Sequence, residues 1–436
     1  MSDTIAAIAT AAGVGGVGIV RVSGPRAIEI VADVLGAAPG ELDRRVRLGW
    51  AHGSDGARLD QVLAFAMRAP SSFTGEDVAE LHGHGGGHNL ERLLAAVIAR
   101  GARIAEPGEF TRRAVLSGKL DLTRAEALLQ VIHAGSERAW RLAQHNLAGR
   151  LGEEAAALER RALAVLAELE GRIDFPEADL APEDERAVDD ELAALAARCG
   201  ELAGSFRHGR ALGDGVTIAL VGAVNVGKSS LLNALVGAER ALVAEVPGTT
   251  RDYLEVRDEW DGVAVTLVDT AGTRTTADPV EARGIALGEA RVASADVVVV
   301  VNDGVTEWDD GARFGPRALV VRSKADLGGD ARGAVATSAT TGAGLEELRR
   351  RALELAGVAE LEGSEDAFVT TARQHATVTA AQRAFAAARA GRAGGAVAEI
   401  VALEVRQAAH ALAELRGVEV GERVLDEVFA RFCIGK

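Results

Sequence analysis

Residues 222–229 read GAVNVGKS, and this segment restricts the fold more than any other part of the chain. It matches the pattern G-x-x-x-x-G-K-S and lies between the apolar run VTIALVG and the helix-like SLLNALVG, which is the context that the pattern requires. Glycines let backbone N–H groups close around phosphates, and the following helix N-terminus adds partial positive charge. The segment predicts a nucleotide-binding α/β unit, with Lys228 at the β- and γ-phosphates and Ser229 on Mg²⁺.

Short apolar runs recur around this segment as VAVTLVD, ADVVVVVN and RALVVRS, separated by stretches of helix length. Such repetition is typical of a mostly parallel sheet with helices on both faces. The chain from Leu120 to this unit, and again after about Glu362, carries apolar residues at helical spacing. We therefore expect the α/β unit to be inserted into a helical domain whose two halves meet in space.

The first part of the chain mixes β-like runs, such as GVGIVRVSG and LDQVLAFAMRA, with helices and glycine-rich turns. This mixture indicates an α+β domain. The overall prediction is a multidomain α/β protein with four segments: an α+β domain at 1–118, helices at 119–212, a Ras-like P-loop domain at 213–361 and helices at 362–436.

Composition excludes several classes of protein. The net charge of −16 and the 3% of aromatic residues argue against an extended RNA-binding or base-stacking surface, so any RNA contact is expected to be local or supplied by a partner. The only cysteines, Cys199 and Cys433, exclude a disulfide framework. No secretory segment and no apolar run of membrane-spanning length is present, so we expect a cytoplasmic protein that does not enter a membrane.

Four further motifs identify the expected nucleotide. DTAG (269–272) ends a strand, where Asp269 can hold the Mg²⁺ shell and Gly272 can meet the γ-phosphate. PGTTRD (247–252) offers Thr250 as a second Mg²⁺ ligand, and TSAT (337–340) would complete the base pocket from its backbone. In SKAD (323–326), Asp326 can accept from guanine N1–H and the exocyclic amine, whereas adenine has an acceptor at N1. The substrate is therefore expected to be GTP.

The residues expected to bind GTP come from all of these motifs. They are Asn225, Val226, Gly227, Lys228, Ser229, Ser230, Ala244, Glu245, Val246, Pro247, Gly248, Thr249, Thr250, Asp269, Thr270, Ala271, Gly272, Ser323, Lys324, Asp326, Ser338 and Ala339.

Two positions depart from the usual GTPase pattern. GTPases normally carry Asn where Ser323 stands, and that amide contacts the base and braces the phosphate loop; we expect guanine preference to persist with affinity lowered by about 0.5–1.5 kcal/mol. Thr273 replaces the water-orienting glutamine of Ras-like enzymes, and no arginine finger is evident. Asn225 could coordinate a monovalent cation in its place, and Glu281 is the best carboxylate to organise the attacking water.

With these motifs assembled, the chain resembles the MnmE (TrmE) family of tRNA modification GTPases over essentially its whole length. The resemblance includes DTIAAIATAAGVGGVGIVRVSGP, SFTGEDVAELHGHGG, PGEFTRRAVLSGKLDLTRAEAL and the terminal FCIGK. It implies that 1–118 binds tetrahydrofolate and forms a homodimer, that 119–212 and 362–436 make one helical domain, and that 213–361 is an inserted GTPase domain.

The resemblance also implies a reaction. Together with the FAD-dependent protein MnmG, in a heterotetramer or larger complex, the protein would install an aminomethyl or carboxymethylaminomethyl group at C5 of the wobble uridine of certain tRNAs. The one-carbon unit would come from 5,10-methylene- or 5-formyl-tetrahydrofolate. GTP hydrolysis would be activated by K⁺-dependent pairing of GTPase domains, with Glu281 as the catalytic acid residue. The implied K⁺ ligands are Asn225, Ala244, Val246 and Thr249.

The implied folate contacts are Arg21, Glu80, Lys119 and Lys436. A carboxylate can accept from a pteridine amino group, and cations suit the glutamate tail of a folate. The tail FCIGK should reach this pocket, placing Cys433 where the one-carbon unit is transferred, as nucleophile, proton carrier or lining residue.

Other interpretations stay open at this point. A GTP-operated switch in ribosome assembly would show a similar GTPase domain, but such proteins carry basic RNA-binding domains, whereas this chain is acidic. A P-loop ATPase is disfavoured by Asp326, and the segment HGHGGGHN, with His82, His84 and His88, is more typical of a tight turn than of a metal site.

Overall fold

The computed structural model describes residues 3–174, 182–237, 253–270, 290–358, 367–418 and 420–435. The chain forms two compact units. Unit 1 comprises Met1–Leu129 together with Ala413–Lys436, and unit 2 comprises Gln130–Leu412. The four-segment division expected from the sequence stays a prediction, because a division into two units does not test its boundaries.

Unit 1 contains a six-stranded sheet in the order β3-β4-β5-β2-β1-β6. Its strands are β1 (Ile5–Ile8), β2 (Val17–Ser23), β3 (Arg47–His52), β4 (Arg58–Met67), β5 (Val78–His84) and β6 (Arg103–Ile104). Strand β1 pairs with β6 in parallel, and the other neighbours are antiparallel. The runs GVGIVRVSG and LDQVLAFAMRA form β2 and β4, so the prediction that they are strands is confirmed.

Alternation along these strands separates a core face from a second face, and the second face is partly covered, since Ile5 and Ala7 of β1 are buried with Phe110. On the core face, Val22 and Leu81 pack with Ile30 and Leu93 of two helices. The helices described entirely within unit 1 are α1 (Ala27–Val34), α2 (Gly87–Ile98), α3 (Glu109–Leu116) and α13 (Glu422–Phe429). Two more helices, α4 (Leu122–His133) and α12 (Ala398–Arg416), belong partly to unit 1 and partly to unit 2.

Helix α3 is held by an ion-pair network around Arg113, whose side chain is 1% exposed. Its guanidinium lies 2.8 Å from Glu109 Oε1, 3.0 Å from Glu76 Oε2 and 3.0 Å from Asp3 Oδ1. A buried charge is stable only when such partners surround it, so the network fixes α3 beside the first strand and the segment before β5.

Unit 2 contains a second six-stranded sheet, in the order β12-β11-β10-β7-β9-β8. Its strands are β7 (Val216–Val221), β8 (Tyr253–Trp260), β9 (Val263–Thr270), β10 (Val297–Asn302), β11 (Ala318–Arg322) and β12 (Val335–Ala336). All neighbours are parallel except β8 and β9, which are antiparallel. The mostly parallel sheet is confirmed. Edge strand β8 was not predicted, because its charged sequence YLEVRDEW shows no apolar run.

The helices described in unit 2 are α5 (Glu137–Leu147), α6 (Arg150–Asp174), α7 (Pro182–Gly204), α8 (Phe206–Gly213), α9 (Lys228–Val236), α10 (Leu345–Ala356) and α11 (Ala372–Ala393). Helices α7 and α8 are separated at Ser205. Helix α11 begins at a capping box, in which Thr371 accepts from the Gln374 N–H, and it packs against α7. Of the helices in the described ranges, none is long and apolar enough to span a bilayer.

Candidate functional site

The phosphate loop lies between β7 and α9, as the sequence predicts. Gly222 has a φ of +149°, and a Cβ there would lie 2.4 Å from the Val301 carbonyl oxygen. Gly227, directly before α9, has a φ of +100°. Both positions therefore require glycine for conformation, and Gly222 also requires it for space.

Lys228 folds back over this loop. Its Nζ donates to the carbonyl oxygens of Gly222 (2.9 Å) and Ala223 (2.8 Å). Burial lowers the pKa of Lys228 below its ordinary 10.5, and the Asp269 carboxylate opposes this effect. The ammonium is thus held inside the loop, where a cation is required next to transferring phosphates.

Ser229 joins the loop to the end of β9. Its hydroxyl donates to Asp269 Oδ2 at 2.7 Å, whereas Asp269 Oδ1 is buried and has no hydrogen-bond partner among the described residues. Hard divalent cations take oxygen ligands, and Mg²⁺ in nucleotide sites uses one or two protein oxygens together with waters and phosphates. The hydroxyl and the unsatisfied carboxylate oxygen therefore fit the predicted Mg²⁺ site.

Ser323 lies behind the loop, buried at the end of β11. Its hydroxyl donates to the Val226 carbonyl, with the Asn302 carbonyl a further 3.1 Å contact. The sequence analysis expected the shorter serine side chain to weaken the site. The structure adds that the loop-bracing half of the usual asparagine's role is performed by the hydroxyl.

Lys324, the next residue, braces the adjacent loop peptide. Its Nζ donates to the Asn225 carbonyl at 2.9 Å and lies 3.2 Å from Asp303 Oδ2. The pKa of Asp303 lies far below its ordinary range, mainly because its carboxylate accepts a hydrogen bond from the Thr306 N–H. Asp303 was missed by the sequence analysis, because only the fold brings the end of β10 next to SKAD.

The guanine-reading motifs also meet. The Ala325 N–H donates to the Thr337 carbonyl at 3.0 Å, which joins SKAD to TSAT. Asp326 is exposed in a short 3-10 turn, Ser338 is fully buried, and the Ala339 N–H has no partner among the described residues. A free carboxylate and a free N–H at this edge suit the donors and the O6 acceptor of guanine.

Several predicted residues lie outside the described residues, so their contacts stay predictions. They are Ala244, Glu245, Val246, Pro247, Gly248, Thr249, Thr250, Ala271, Gly272, Glu281 and Lys436. Thr270 is described only as the last backbone position of β9, and the described side chain of Ser230 is exposed in α9.

A second cluster lies on the second, partly covered face of the sheet of unit 1. Arg21 on β2 and Glu80 on β5 are register partners, and Arg21 Nε donates to Glu80 Oε1 at 2.7 Å. His82 Nε2 donates to Glu80 Oε2 at 2.8 Å, and its ring packs edge-on against Phe65. Burial alone would raise the pKa of Glu80, but the bonds from His82 and Arg21 outweigh it and hold the pKa below 4.5. The carboxylate is therefore charged and able to accept at neutral pH.

The C-terminal segment reaches this cluster. Phe432 is buried, Cys433 is exposed, and the Gly435 carbonyl lies 3.5 Å from Arg21 Nη1. Gly435 has a φ of +99°, and a Cβ there would lie 2.2 Å from the Ile8 carbonyl oxygen at the end of β1. The FCIGK tail therefore lies beside Arg21, and its role at a folate pocket stays a prediction.

Sequence reasoning found Arg21 and Glu80 but missed His82 as a partner of Glu80. The signal was available, because residues two apart on a strand share a face.

Lys119 is exposed after α3, with its backbone N–H donating to the Ala114 carbonyl. His84 Nδ1 binds Asp60 Oδ1 at 2.7 Å.

Family comparisons cover both units. The family model described as the GTP-binding protein TrmE N-terminus matches residues 4–119, and the MnmE helical domain matches residues 122–433. The curated tRNA modification GTPase MnmE of Synechococcus sp. (strain CC9605) is 44% identical over 100% of this chain and 99% of its own length. The chain belongs to the MnmE family of tRNA modification GTPases.

Other relatives agree with this assignment. Proteins of the same name from Parasynechococcus marenigrum and Moorella thermoacetica are 45% and 40% identical, with 100% of this chain covered and 99% and 100% of theirs. Among solved structures, the G domain of the T. maritima FeoB iron transporter is 30% identical over 32% of this chain and 98% of its own, with a TM-score of 0.26, which is too low to support an argument. The predicted family, the multidomain α/β fold class and the GTPase assignment are confirmed.

Docking of the tail depends on a glycine at 108. Gly108 has a φ of +67°, its N–H donates to the Cys433 carbonyl, and a Cβ there would lie 2.8 Å from the Phe429 carbonyl oxygen. Gly36 has a similar φ of +61° but open space around it.

Both Gly→Ala changes cost about 1–2 kcal/mol of backbone strain, and only Gly108→Ala adds a collision. We expect amides of residues 429–435 to exchange hydrogen about tenfold faster in Gly108→Ala than in Gly36→Ala, measured by mass spectrometry. Equal exchange in the two variants would contradict this account of tail docking.

Proposed function

We propose that this protein hydrolyses GTP and, with an FAD-dependent partner of the MnmG type, modifies C5 of the wobble uridine of certain tRNAs. The observation that carries the proposal is the full-length match to proteins named tRNA modification GTPase MnmE. Two local features support it: the Ser229–Asp269 pair at a phosphate loop, and the approach of the C-terminal tail to Arg21, which pairs with the buried, charged Glu80.

The phosphate loop would bind and orient GTP. Lys228 supplies a fixed cation for the β- and γ-phosphates, and Ser229 with Thr250 would hold Mg²⁺, which neutralises the charge that develops on the phosphates. Asp326 and the N–H of Ala339 would read the base. Most of the catalytic work in phosphoryl transfer is positioning and charge stabilisation, and these residues provide both.

A monovalent cation would take the place of an arginine finger. We infer K⁺ ligation by Asn225 and by Ala244, Val246 and Thr249, in a homodimer whose GTPase domains pair. Asn225 is exposed at the loop with a φ of +66°, and its backbone carbonyl is bound by Lys324. Its side-chain amide has no hydrogen-bond partner among the described residues and would serve as a ligand. Glu281 would organise the attacking water.

Residues of unit 1 would bind the one-carbon carrier. Glu80, held as a carboxylate, would accept from amino groups of a tetrahydrofolate pteridine, and Arg21, Lys119 and Lys436 would pair with its acidic groups. Bound there, 5,10-methylene- or 5-formyl-tetrahydrofolate supplies the carbon that is added to uridine. Cys433, three residues before Lys436 in the sequence, is exposed and would offer its thiol next to the Arg21–Glu80 cluster.

The tRNA product provides the first test. We expect deletion of the gene to abolish C5 modification of wobble uridine, because the proposed protein supplies the carbon that is attached at C5. Mass spectrometry of tRNA nucleosides measures the modification. The wild-type gene should restore modification, and Lys228→Ala should not. Cys433→Ser should hydrolyse GTP normally yet fail to restore modification. Unchanged nucleosides after deletion would refute the proposed function, and full restoration by Cys433→Ser would remove only its chemical role.

Folate binding tests Glu80 directly. We expect Glu80→Gln to weaken binding of 5-formyl-tetrahydrofolate about tenfold or more, since hydrogen bonds to charged groups contribute about 1.5–3 kcal/mol. Glu29→Gln is the matched control, because Glu29 also pairs with an arginine, Arg26, but on an exposed surface. Calorimetric titration of the full chain measures both. Equal loss in the two variants, or no loss in either, would argue against a folate site at Glu80.

Hydrolysis in different salts tests the cation site. We expect faster GTP hydrolysis in KCl than in NaCl, and loss of that difference in Asn225→Gly. Glycine accepts the φ of +66° without strain and keeps the carbonyl that Lys324 binds, so only the side-chain ligand is removed. Binding of GTP to the variant, measured by titration, distinguishes weaker nucleotide binding from slower hydrolysis. Identical wild-type rates in the two salts would exclude the proposed K⁺ role.

A further inference from the structure

The hydroxyl of Ser323 has one hydrogen to donate, and the structure shows where it goes. Ser323 is 5% exposed, and its Oγ faces two carbonyl oxygens, of Val226 and Asn302. Carbonyls only accept, so the single hydrogen is committed to the protein. The asparagine that GTPases normally carry here has two N–H hydrogens, one for the loop and one for the base.

Guanine presents two acceptors on the edge that such an amide can reach, N7 and O6. O6 has a candidate donor in the unpartnered N–H of Ala339. Two neighbouring backbone donors are already used: the N–H of Ser323 binds the Asn302 carbonyl at 2.7 Å, and that of Ala325 binds the Thr337 carbonyl. The ammonium of Lys324 is held by the Asn225 carbonyl and Asp303.

We propose that this protein binds guanine nucleotides without a hydrogen bond to N7, so that the base is recognised through Asp326 and the backbone of Ala339 alone. Ser323 then keeps the brace on the phosphate loop and gives up one contact to the base, which lowers affinity without changing the preference for guanine. The inference rests on the proposed binding of GTP and deepens it.

The test uses a nucleotide in which only N7 changes. In 7-deaza-GDP a C–H group replaces N7, while the Watson–Crick edge that faces Asp326 is unchanged. We expect the full-length protein to bind GDP and 7-deaza-GDP with dissociation constants within about twofold of each other, measured by calorimetric titration. A loss of more than about threefold with 7-deaza-GDP would overturn the proposal, because some donor would then be reading N7.

Two variants extend the test. Ser323→Asn restores a second hydrogen, so it should bind GDP about three- to tenfold more tightly than 7-deaza-GDP, as expected for one hydrogen bond. Ser323→Ala removes the brace on Val226, and it should weaken both nucleotides by the same factor. Equal binding of the two nucleotides by Ser323→Asn would show that position 323 does not face N7, which would also overturn the proposal. Should a variant fail to fold, the wild-type comparison still decides.

Failure of the proposed function has a different signature. Titration with ADP is included as the reference: tight and equal binding of ADP and GDP, or no binding of GDP, would refute guanine recognition as such. Preference for GDP over ADP combined with a loss for 7-deaza-GDP would leave the GTPase assignment intact and remove only the inference about N7.

Discussion

The bracing of the phosphate loop from behind is the constraint on which the nucleotide site depends. Ser323 and Lys324, consecutive residues after β11, bind the consecutive loop carbonyls of Val226 and Asn225. In a planar trans peptide the carbonyl and the following N–H point in opposite directions. Fixing these two carbonyls toward β11 therefore turns the N–H groups of Val226 and Gly227 away from it, toward the side from which a phosphate approaches.

The cluster in unit 1 has a comparable origin in strand register. Antiparallel pairing places Arg21 opposite Glu80, and two-residue periodicity adds His82 on the same face. Burial of Glu80 would favour its neutral form, but two hydrogen-bonding partners reverse that preference. A buried, charged acceptor on this face of the sheet is thus a product of register, which a shift by one residue would destroy.

Much of this could be predicted from the sequence, where a local pattern carried the signal. The loop at 222–229 and the apolar strands beside it were identified, because glycine spacing and hydrophobic runs are local properties. Strand β8 was missed, because it is a charged edge strand, and an edge strand needs no continuous apolar run. The roles of Asp303 and of the Ser323 hydroxyl depend on contacts between distant segments, which no spacing rule reveals.

The composition of unit 1 has a consequence for how the chain acquires its structure. Residues 1–129 carry the sheet, but the segment that packs Leu425 and Phe429 onto Leu122 and places Gly435 beside β1 is translated after residues 130–412 of unit 2. Domains generally fold as the chain leaves the ribosome, beginning with the N-terminal one. The Arg21–Glu80 cluster therefore gains Gly435 as a neighbour only after residues 130–412 of unit 2 have been synthesised.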